Sequence, residues 1–389
     1  MLLSLALIIL TGIVLSEMAL KIGLPRIIGM VFTGIVLGPY ALDLLDDSLL
    51  AISLDLRQIA LVVILLRAGL SLNLEDLKKI GRPAFLLAFV PATLELLAVI
   101  ILAPMLLGFT LLEAAIMGTI LAAVSPAIVV PRMLRMMKEK VGTKKRIPQM
   151  ILAGASVDDI YVLVLFTAFI GIHDTGDSSI LAFLMLPLSL VGGVIIGVLI
   201  ALFFVKLFKH YHMRDTGKIM ILLSVSFLFI AFEDTLHISG LLAIFAMGIT
   251  ILASYNVLAR RLTQKYERIW VFTELLLFVL VGAAVDITLV SSVGASALLL
   301  VFGALIFRSL GTFVSTYKTK LALRERVFVV FAYLPKATVQ ASIASIPLSM
   351  GIDGGDTMLA VAVLSILITA PLGALLTDRT QKKLILSDD

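Results

Sequence analysis

AVSPAIVVP at residues 123–131 and YLPKATVQ at residues 333–340 each place a proline in the middle of a long apolar stretch. Proline removes a backbone hydrogen bond and clashes with the preceding turn, so Pro126 and Pro335 predict two helices that are broken near their middles. Within a lipid bilayer, irregular backbone must line protein or water, and its freed helix ends carry partial charge. We therefore expect these two stretches to meet at a functional site.

Similar elements precede the two prolines, which indicates an internal repeat. The matching stretches are LVVILLRAGLSLN (61–73) and LLLFVLVGAAVDI (275–287). Gly69 precedes Glu95 by 26 residues, and Gly282 precedes Arg308 by 26, so a charge falls inside the next apolar segment of each copy. The predicted copies enter the membrane from opposite sides. Inverted-topology repeats with interrupted helices point to a transporter whose site lies near the bilayer midplane.

The composition assigns the chain to a lipid environment. Of its 389 residues 61% are hydrophobic, and the mean hydropathy is +1.15, whereas soluble domains are about 45–50% apolar. Apolar stretches near the ~20 residues that a transmembrane helix needs recur along the chain. We predict an all-α polytopic membrane protein with 13 transmembrane helices. The predicted spans are residues 2–20, 24–41, 53–72, 83–107, 111–137, 148–172, 180–206, 218–235, 238–256, 266–286, 291–316, 327–347 and 356–377.

The basic residues sort by membrane side. All but four of the 31 Lys and Arg lie in the odd-numbered loops and the C-terminal tail, whereas the even-numbered loops are acidic. We predict a multi-pass protein of the cell inner (plasma) membrane, and the positive-inside rule places its C-terminus in the cytoplasm and its N-terminus outside. This alternation also explains the net charge of +5 without a nucleic-acid partner. Because the chain has no Cys, disulfides and thiolate sites are excluded.

Two adjacent carboxylates, Asp158 and Asp159, lie about ten residues into a predicted span, close to the bilayer centre. A charge at that depth costs at least about 2.5–3.5 kcal/mol on insertion scales, so it is a functional hypothesis by default. A proton and a hard monovalent cation can compete for the same carboxylate oxygens, and this competition is the antiport reaction. Further candidate oxygen ligands are Ser156, Ser125 and Thr338.

The other mid-membrane charges leave the roles of the two acids open. Either Asp158 or Asp159 could instead form a structural ion pair with Arg308 or Lys336. Glu95 and Arg308 occupy equivalent repeat positions and are expected to pair with each other. Lys336 follows Pro335 directly, so it is expected to balance the negative helix ends at the crossing.

Four motifs, in family order, resemble the cation:proton antiporter superfamily, and most closely the sodium/proton antiporters of the NHA type. They are LLRAGLSLN (65–73), AVSPAIVVPRML (123–134), GASVDD (154–159) and LPKATVQASI (334–343). The resemblance implies an NhaA-like antiporter fold, with a core domain, a dimerisation domain, two broken helices crossing beside the acid pair, and a homodimer. It also implies that Asp159 binds the ion and carries the proton, with Asp158 as its partner at the Na⁺ site.

We interpret residues 1–389 as one membrane transporter unit. Residues 53–172 are predicted to form the first repeat core and residues 266–377 the second, while residues 2–41 and 180–256 contribute to dimerisation, scaffold and linking helices. One departure from the resemblance is that Arg308 stands where electrogenic double-Asp antiporters typically carry lysine. A guanidinium stays protonated, which favours electroneutral exchange.

We therefore predict a sodium (or lithium)/proton antiporter that works by alternating access and serves pH homeostasis, not an enzyme, with small monovalent cations and protons as its partners and no cofactor. A potassium/proton antiporter remains an alternative. So do a cation channel, since broken helices also suit selective pores, and a membrane-embedded aspartyl hydrolase. Neighbouring residues on one helix point about 100° apart, which disfavours a proton-sharing Asp dyad.

Overall fold

A computed structural model describes residues 1–72, 81–175, 180–211 and 213–385. Residues 73–80 of the predicted first repeat core lie outside these ranges. They include the last residue of the motif at 61–73 and two of the basic loop residues, Lys78 and Lys79. The described residues contain 18 helices and no β-strand. The first nine are α1 (Leu2–Lys21), α2 (Arg26–Leu37), α3 (Asp47–Ala51), α4 (Ser53–Ser71), α5 (Arg82–Leu107), α6 (Leu111–Ala122), α7 (Pro126–Lys138), α8 (Ile147–Thr175) and α9 (Ile180–His210). The others are α10 (Asp215–Ala231), α11 (Glu233–Leu236), α12 (Gly240–Ser254), α13 (Asn256–Ala283), α14 (Ile287–Ser315), α15 (Leu323–Ala332), α16 (Thr338–Ile343), α17 (Ile346–Ser349) and α18 (Gly355–Leu384).

Each predicted apolar span coincides with helical residues, although some boundaries differ. The helix predicted at 266–286 begins at Asn256, because a polar segment rich in Arg and Lys continues it before the apolar stretch. Helix α18 likewise runs on to Leu384 beyond the predicted end at residue 377. Within the described ranges, seven helical segments are long and apolar enough to cross a membrane, and two shorter helices are also apolar. The count of 13 crossings stays a prediction.

Both predicted interruptions are present. Helix α6 ends at Ala122, the backbone is extended at Ala123 and Ser125, and α7 starts at Pro126. Proline suits the first turn of a helix, because the backbone N–H that it lacks would have no intrahelical partner there. The second interruption is longer, because α15 ends at Ala332 and α16 begins only at Thr338.

The described chain divides into two compact units. The first lies within Met1–Leu54, Asn73–Val162 and Leu275–Asp389. In this unit α5, which carries Glu95, packs along α14, which carries Arg308 at the equivalent position of the predicted repeat. Helix α6 packs on α5, and α14 and α15 pack on α18. A glycine allows the closest approach: a Cβ on Gly311 would lie 2.7 Å from the Cα of Pro91. All candidate site residues belong to this unit.

The second unit comprises Asp55–Leu72 and Leu163–Glu274. In it α9 packs along α12, and α10 also packs on α12. The Ser239 amide donates to the Ser189 carbonyl oxygen at 3.1 Å. Arg67, the arginine of the LLRAGLSLN motif, lies 3.8 Å from Glu267 and so has an acidic neighbour within its own unit.

Candidate ion-binding site

The two interrupted helices meet backbone to backbone. The amide of Ser125, in the first interruption, donates to the carbonyl oxygen of Pro335, in the second, at 2.8 Å. Helix α18 supports the second interruption, because the Lys336 amide donates to Thr369 Oγ1 at 3.0 Å. One turn further along α18, a Cβ on Gly373 would lie 2.6 Å from Cδ of Pro335, so only glycine leaves room for the proline ring.

Three buried side chains cap the end of α6. A helix leaves its last carbonyls without intrahelical partners, and its C-terminus carries partial negative charge. The pairs are Lys336 Nζ to Leu121 O, Arg308 Nη1 to Ala122 O, and Gln340 Nε2 to Ala123 O at 2.8 Å. Two of the three donors, Lys336 and Arg308, are cations, so positive charge lies at the negative end of this helix.

Arg308 is the centre of a buried charge network. Its Nη1 donates to Glu95 Oε2 at 2.9 Å, and its Nη2 donates to Asp158 Oδ2 at 3.1 Å. Its Nε donates to the Tyr333 carbonyl oxygen, in the second interruption, at 2.6 Å. Lys336 Nζ lies 2.6 Å from Glu95 Oε1.

The network is closed to solvent and balanced in charge. Glu95, Asp158 and Arg308 have no exposed surface, and 1% of Lys336 is exposed. Two carboxylates thus face two cations. Asp158 is further fixed because its Oδ2 accepts the Val124 amide at 2.8 Å. Of the ion pairs that the sequence left open for the two acids, the structure contains the one between Asp158 and Arg308.

Asp159 stands outside this balance. In the part of the chain that the structure describes, it forms no ion pair, and its Oδ1 is buried without a hydrogen-bond partner. An ionised Asp159 therefore leaves one net negative charge beside the neutral network. One proton or one monovalent cation would compensate it.

Several other buried oxygens beside the interruptions lack a hydrogen-bond partner among the described residues. They are Asp158 Oδ1, Ser125 Oγ, Thr338 Oγ1, Gln340 Oε1 and Tyr333 Oη. Ser156 differs, since its hydroxyl donates to the Leu152 carbonyl oxygen at 2.8 Å and its own oxygen can still accept. A set of oxygens suits a hard cation. No group of three or more His, Cys, Asp or Glu suited to a metal ion is found in the described ranges.

Three residues of this arrangement received no role from the sequence. Tyr333 and Gln340 lie in the motif around Pro335, whereas Thr369 lies outside the motifs. Uncharged side chains give no insertion penalty comparable to that of a carboxylate, so hydropathy does not mark them. The one available signal is that Tyr333 and Gln340 lie within five residues of Pro335.

Interrupted helices that meet at buried charges in a polytopic helical protein are typical of secondary transporters. The chain matches the family described as "Sodium/hydrogen exchanger, transmembrane" over residues 5–380. It is 32% identical to human sodium/hydrogen exchanger 9B2 over 374 residues, which cover 91% of this chain and 68% of that protein. With human sodium/hydrogen exchanger 9B1 it shares 30% identity, over 82% of this chain and 64% of the relative.

A solved structure agrees in fold. The sodium proton antiporter MjNhaP1 from Methanocaldococcus jannaschii superposes with a TM-score of 0.84 at 20% identity, covering 98% of this chain and 97% of that one. The chain belongs to the sodium/hydrogen exchanger family, within the cation:proton antiporters, and is a multi-pass membrane protein. It spans about two thirds of the length of the curated relatives, 68% of the human and 64% of the Xenopus tropicalis 9B2 protein.

Proposed function

We propose that this protein exchanges sodium or lithium ions for protons by alternating access, with the cation and the proton competing for Asp159. One observation carries the proposal: the buried network of Asp158, Arg308, Glu95 and Lys336 is balanced in charge, which leaves Asp159 as the excess carboxylate at the crossing of two interrupted helices. The names of the relatives, sodium/hydrogen exchangers and a sodium proton antiporter, support sodium over potassium.

Charge balance also explains coupling. A bare carboxylate is costly to move through the low-dielectric part of the membrane, whereas a protonated or cation-bound one is neutral as a unit. The core therefore reorients readily only when Asp159 carries a proton or a cation. Because the proton and the cation bind the same oxygens, each reorientation carries one or the other. Transport is therefore an obligatory exchange of cation for proton. An open pore would need no such alternation.

The proposed cation site combines Asp159 with Asp158 Oδ1 and with the hydroxyls of Ser125, Ser156 and Thr338. Support comes from the buried, unpartnered oxygens of four of these five side chains. Arg308, Glu95 and Lys336 hold the site without changing charge. Pro126 and Pro335 interrupt the two helices that cross at this cation site.

The larger architecture is proposed from the sequence pattern. It has 13 crossings, an outside N-terminus and a cytoplasmic C-terminus. The repeat cores at 53–172 and 266–377 would carry the site, and residues 2–41 and 180–256 would serve scaffold, linking and homodimer contacts. Cysteines introduced at Lys144 and Asp353, in loops predicted to face opposite sides, test the orientation through labelling by an impermeant reagent in intact cells.

The function itself is tested in proteoliposomes that carry a pH gradient reported by a quenched dye. Addition of Na⁺ or Li⁺ should dissipate the gradient in a saturable manner, and K⁺ should have little effect. The Asp159→Asn variant, reconstituted at equal density, is the matched control for leak. A gradient that survives Na⁺ addition to the wild-type protein would reject sodium/proton exchange.

A further inference from the structure

Gln340 is an uncharged amide buried at the crossing of the interrupted helices. It lies on α16, five residues after Pro335, and none of its surface is exposed. Its Nε2 donates to the Ala123 carbonyl oxygen at 2.8 Å, in the first interruption. Because only the NH₂ end of the amide can donate to a carbonyl, this contact fixes which end is oxygen.

The remaining end of the amide has no protein partner. Within the described chain, Gln340 Oε1 is buried and accepts no hydrogen bond. An amide oxygen is acceptor-only, so it cannot turn and donate as the hydroxyl of Ser125 or Thr338 can. Buried acceptors are almost always satisfied, so this oxygen is suited to accept from a donor or to bind a cation.

The same peptide group joins Gln340 to the acid pair. The carbonyl of Ala123 receives the Gln340 amide, and the amide of Val124, in the same peptide group, donates to Asp158 Oδ2 at 2.8 Å. Across one peptide group, Gln340 Nε2 and Asp158 Oδ2 therefore lie within about 8 Å of each other. Asp158 Oδ1 is the second acceptor-only atom left open there. Gln340 and Asp158 thus contact the same peptide group of the first interruption, and each keeps one buried oxygen that can bind a cation or its hydration water.

We propose that Gln340 is a ligand of the transported cation, with its Oε1 binding the ion directly or through one of the ion's water molecules. The inference rests on the proposed function, and it adds a residue that sets ion selectivity. A neutral ligand suits this site, because the buried network is already balanced and, among the described residues of the site, Asp159 supplies the uncompensated charge. A further ionised ligand would overcompensate a single cation.

Two substitutions separate a ligand from a structural contact. Gln340→Met removes both the donor and the acceptor at similar length. Gln340→Glu keeps a neutral oxygen ligand while the buried acid is protonated, and its O–H can then replace the donor to Ala123. Gln149→Met is the control, because Gln149 Oε1 is also buried and unpartnered on α8 but lies nine residues before Asp158, about 13 Å toward the end of the helix.

The primary measurement is thermal stabilisation of the purified protein by Na⁺, Li⁺ and K⁺ chlorides, which reports binding without transport. Gln340→Met should raise the apparent Kd for Na⁺ at least about fivefold and alter the Na⁺-to-Li⁺ ratio, as expected for a lost ligand. Gln340→Glu and Gln149→Met should keep the wild-type ratio. The Km values for Na⁺ and Li⁺ in exchange should follow the same order.

Two results would overturn the assignment. One is an unchanged ion ratio and Na⁺ affinity in Gln340→Met. The other is an equal loss in Gln340→Met and Gln340→Glu, which would reduce Gln340 to a donor that holds Ala123. If Na⁺ stabilises the wild-type protein but drives no proton exchange, the proposed function fails, while the binding data still decide the role of Gln340.

Discussion

At the scale of single residues, Asp158 and Asp159 are adjacent in sequence but differ in their surroundings. Asp158 accepts from Arg308 at 3.1 Å and from the Val124 amide at 2.8 Å, so it is part of the framework. Asp159 has no ion-pair partner in the described residues. This difference in surroundings supports the proposal that Asp159 carries the exchangeable charge.

Asp159→Asn is expected to abolish exchange while the protein still inserts and folds. The amide has similar volume but cannot bind a proton and a cation in turn. Proteoliposome exchange should fall to the level of protein-free vesicles, with an unchanged elution profile in size-exclusion chromatography. Asp158→Asn should instead mainly weaken cation affinity and thermal stability, because Arg308 and Val124 lose a charged acceptor. Wild-type-like turnover in Asp159→Asn would contradict the mechanism.

The pH dependence of cation affinity follows from competition at Asp159. A proton on the carboxylate must leave before the cation binds, so binding releases a proton. While the free site is protonated, the apparent Km for Na⁺ should fall about tenfold for each unit rise in pH and should level off once the site is deprotonated. Initial exchange rates between pH 6 and 9 measure this. A Km that stays constant across the whole range would rule out a shared site.

At the scale of elements, the second interruption depends on α18. The Lys336 amide has no helical partner because the chain is unwound there, and it donates to Thr369 Oγ1 at 3.0 Å. Lys336 in turn lies 2.6 Å from Glu95 and caps the Leu121 carbonyl. One hydroxyl on α18 therefore helps to position a cation of the network.

Thr369→Val should destabilise the protein by about 1–3 kcal/mol, because a buried N–H loses its acceptor while the side-chain shape is kept. Exchange should slow in the same variant through displacement of Lys336. Thr369→Ser, which retains the hydroxyl, is the matched control and should behave like the wild type. Both variants are compared by thermal unfolding in detergent and by exchange. Equal melting temperatures for the Val variant and the wild type would show that the contact is not needed.

The interruptions and the pairing of Glu95 with Arg308 were predictable from the sequence, whereas the caps on the helix end and the contact of Lys336 with Glu95 were not. Proline acts locally, so Pro126 and Pro335 reveal where the helices break without any tertiary knowledge. Which carbonyl each cation caps depends on contacts between residues more than 180 positions apart, such as Arg308 with Ala122. Spacing indicated that Glu95 and Arg308 correspond in the repeat, but it gave no reason to place Lys336 on Glu95.

Helix boundaries show the same limit. Hydropathy identifies only the apolar part of α13, but a helix continues as long as its backbone hydrogen bonds are formed. Residues from Asn256 onward are therefore helical although they are polar. The predicted repeat rests on the glycine-ended apolar run that precedes each charge, and the helices that carry these two charges, α5 and α14, pack along each other.

At the scale of the whole molecule, the balance of buried charge determines what one transport cycle moves. The network holds two carboxylates and two cations, and Arg308 cannot release its proton at ordinary pH. If Asp158 and Glu95 stay ionised against Arg308 and Lys336, only Asp159 changes state. One proton then moves for each cation, and no net charge crosses the membrane.

We therefore expect electroneutral exchange. Recordings on solid-supported membranes should show no sustained current after a Na⁺ jump, even where the dye assay shows rapid exchange in the same vesicles. Asp159→Asn defines the background signal, because it lacks the exchangeable charge. A sustained current that scales with turnover would contradict one-for-one coupling and would require a second titrating group. Because Arg308 keeps its proton, that second group would have to be Asp158, Glu95 or Lys336, the other charged members of the network.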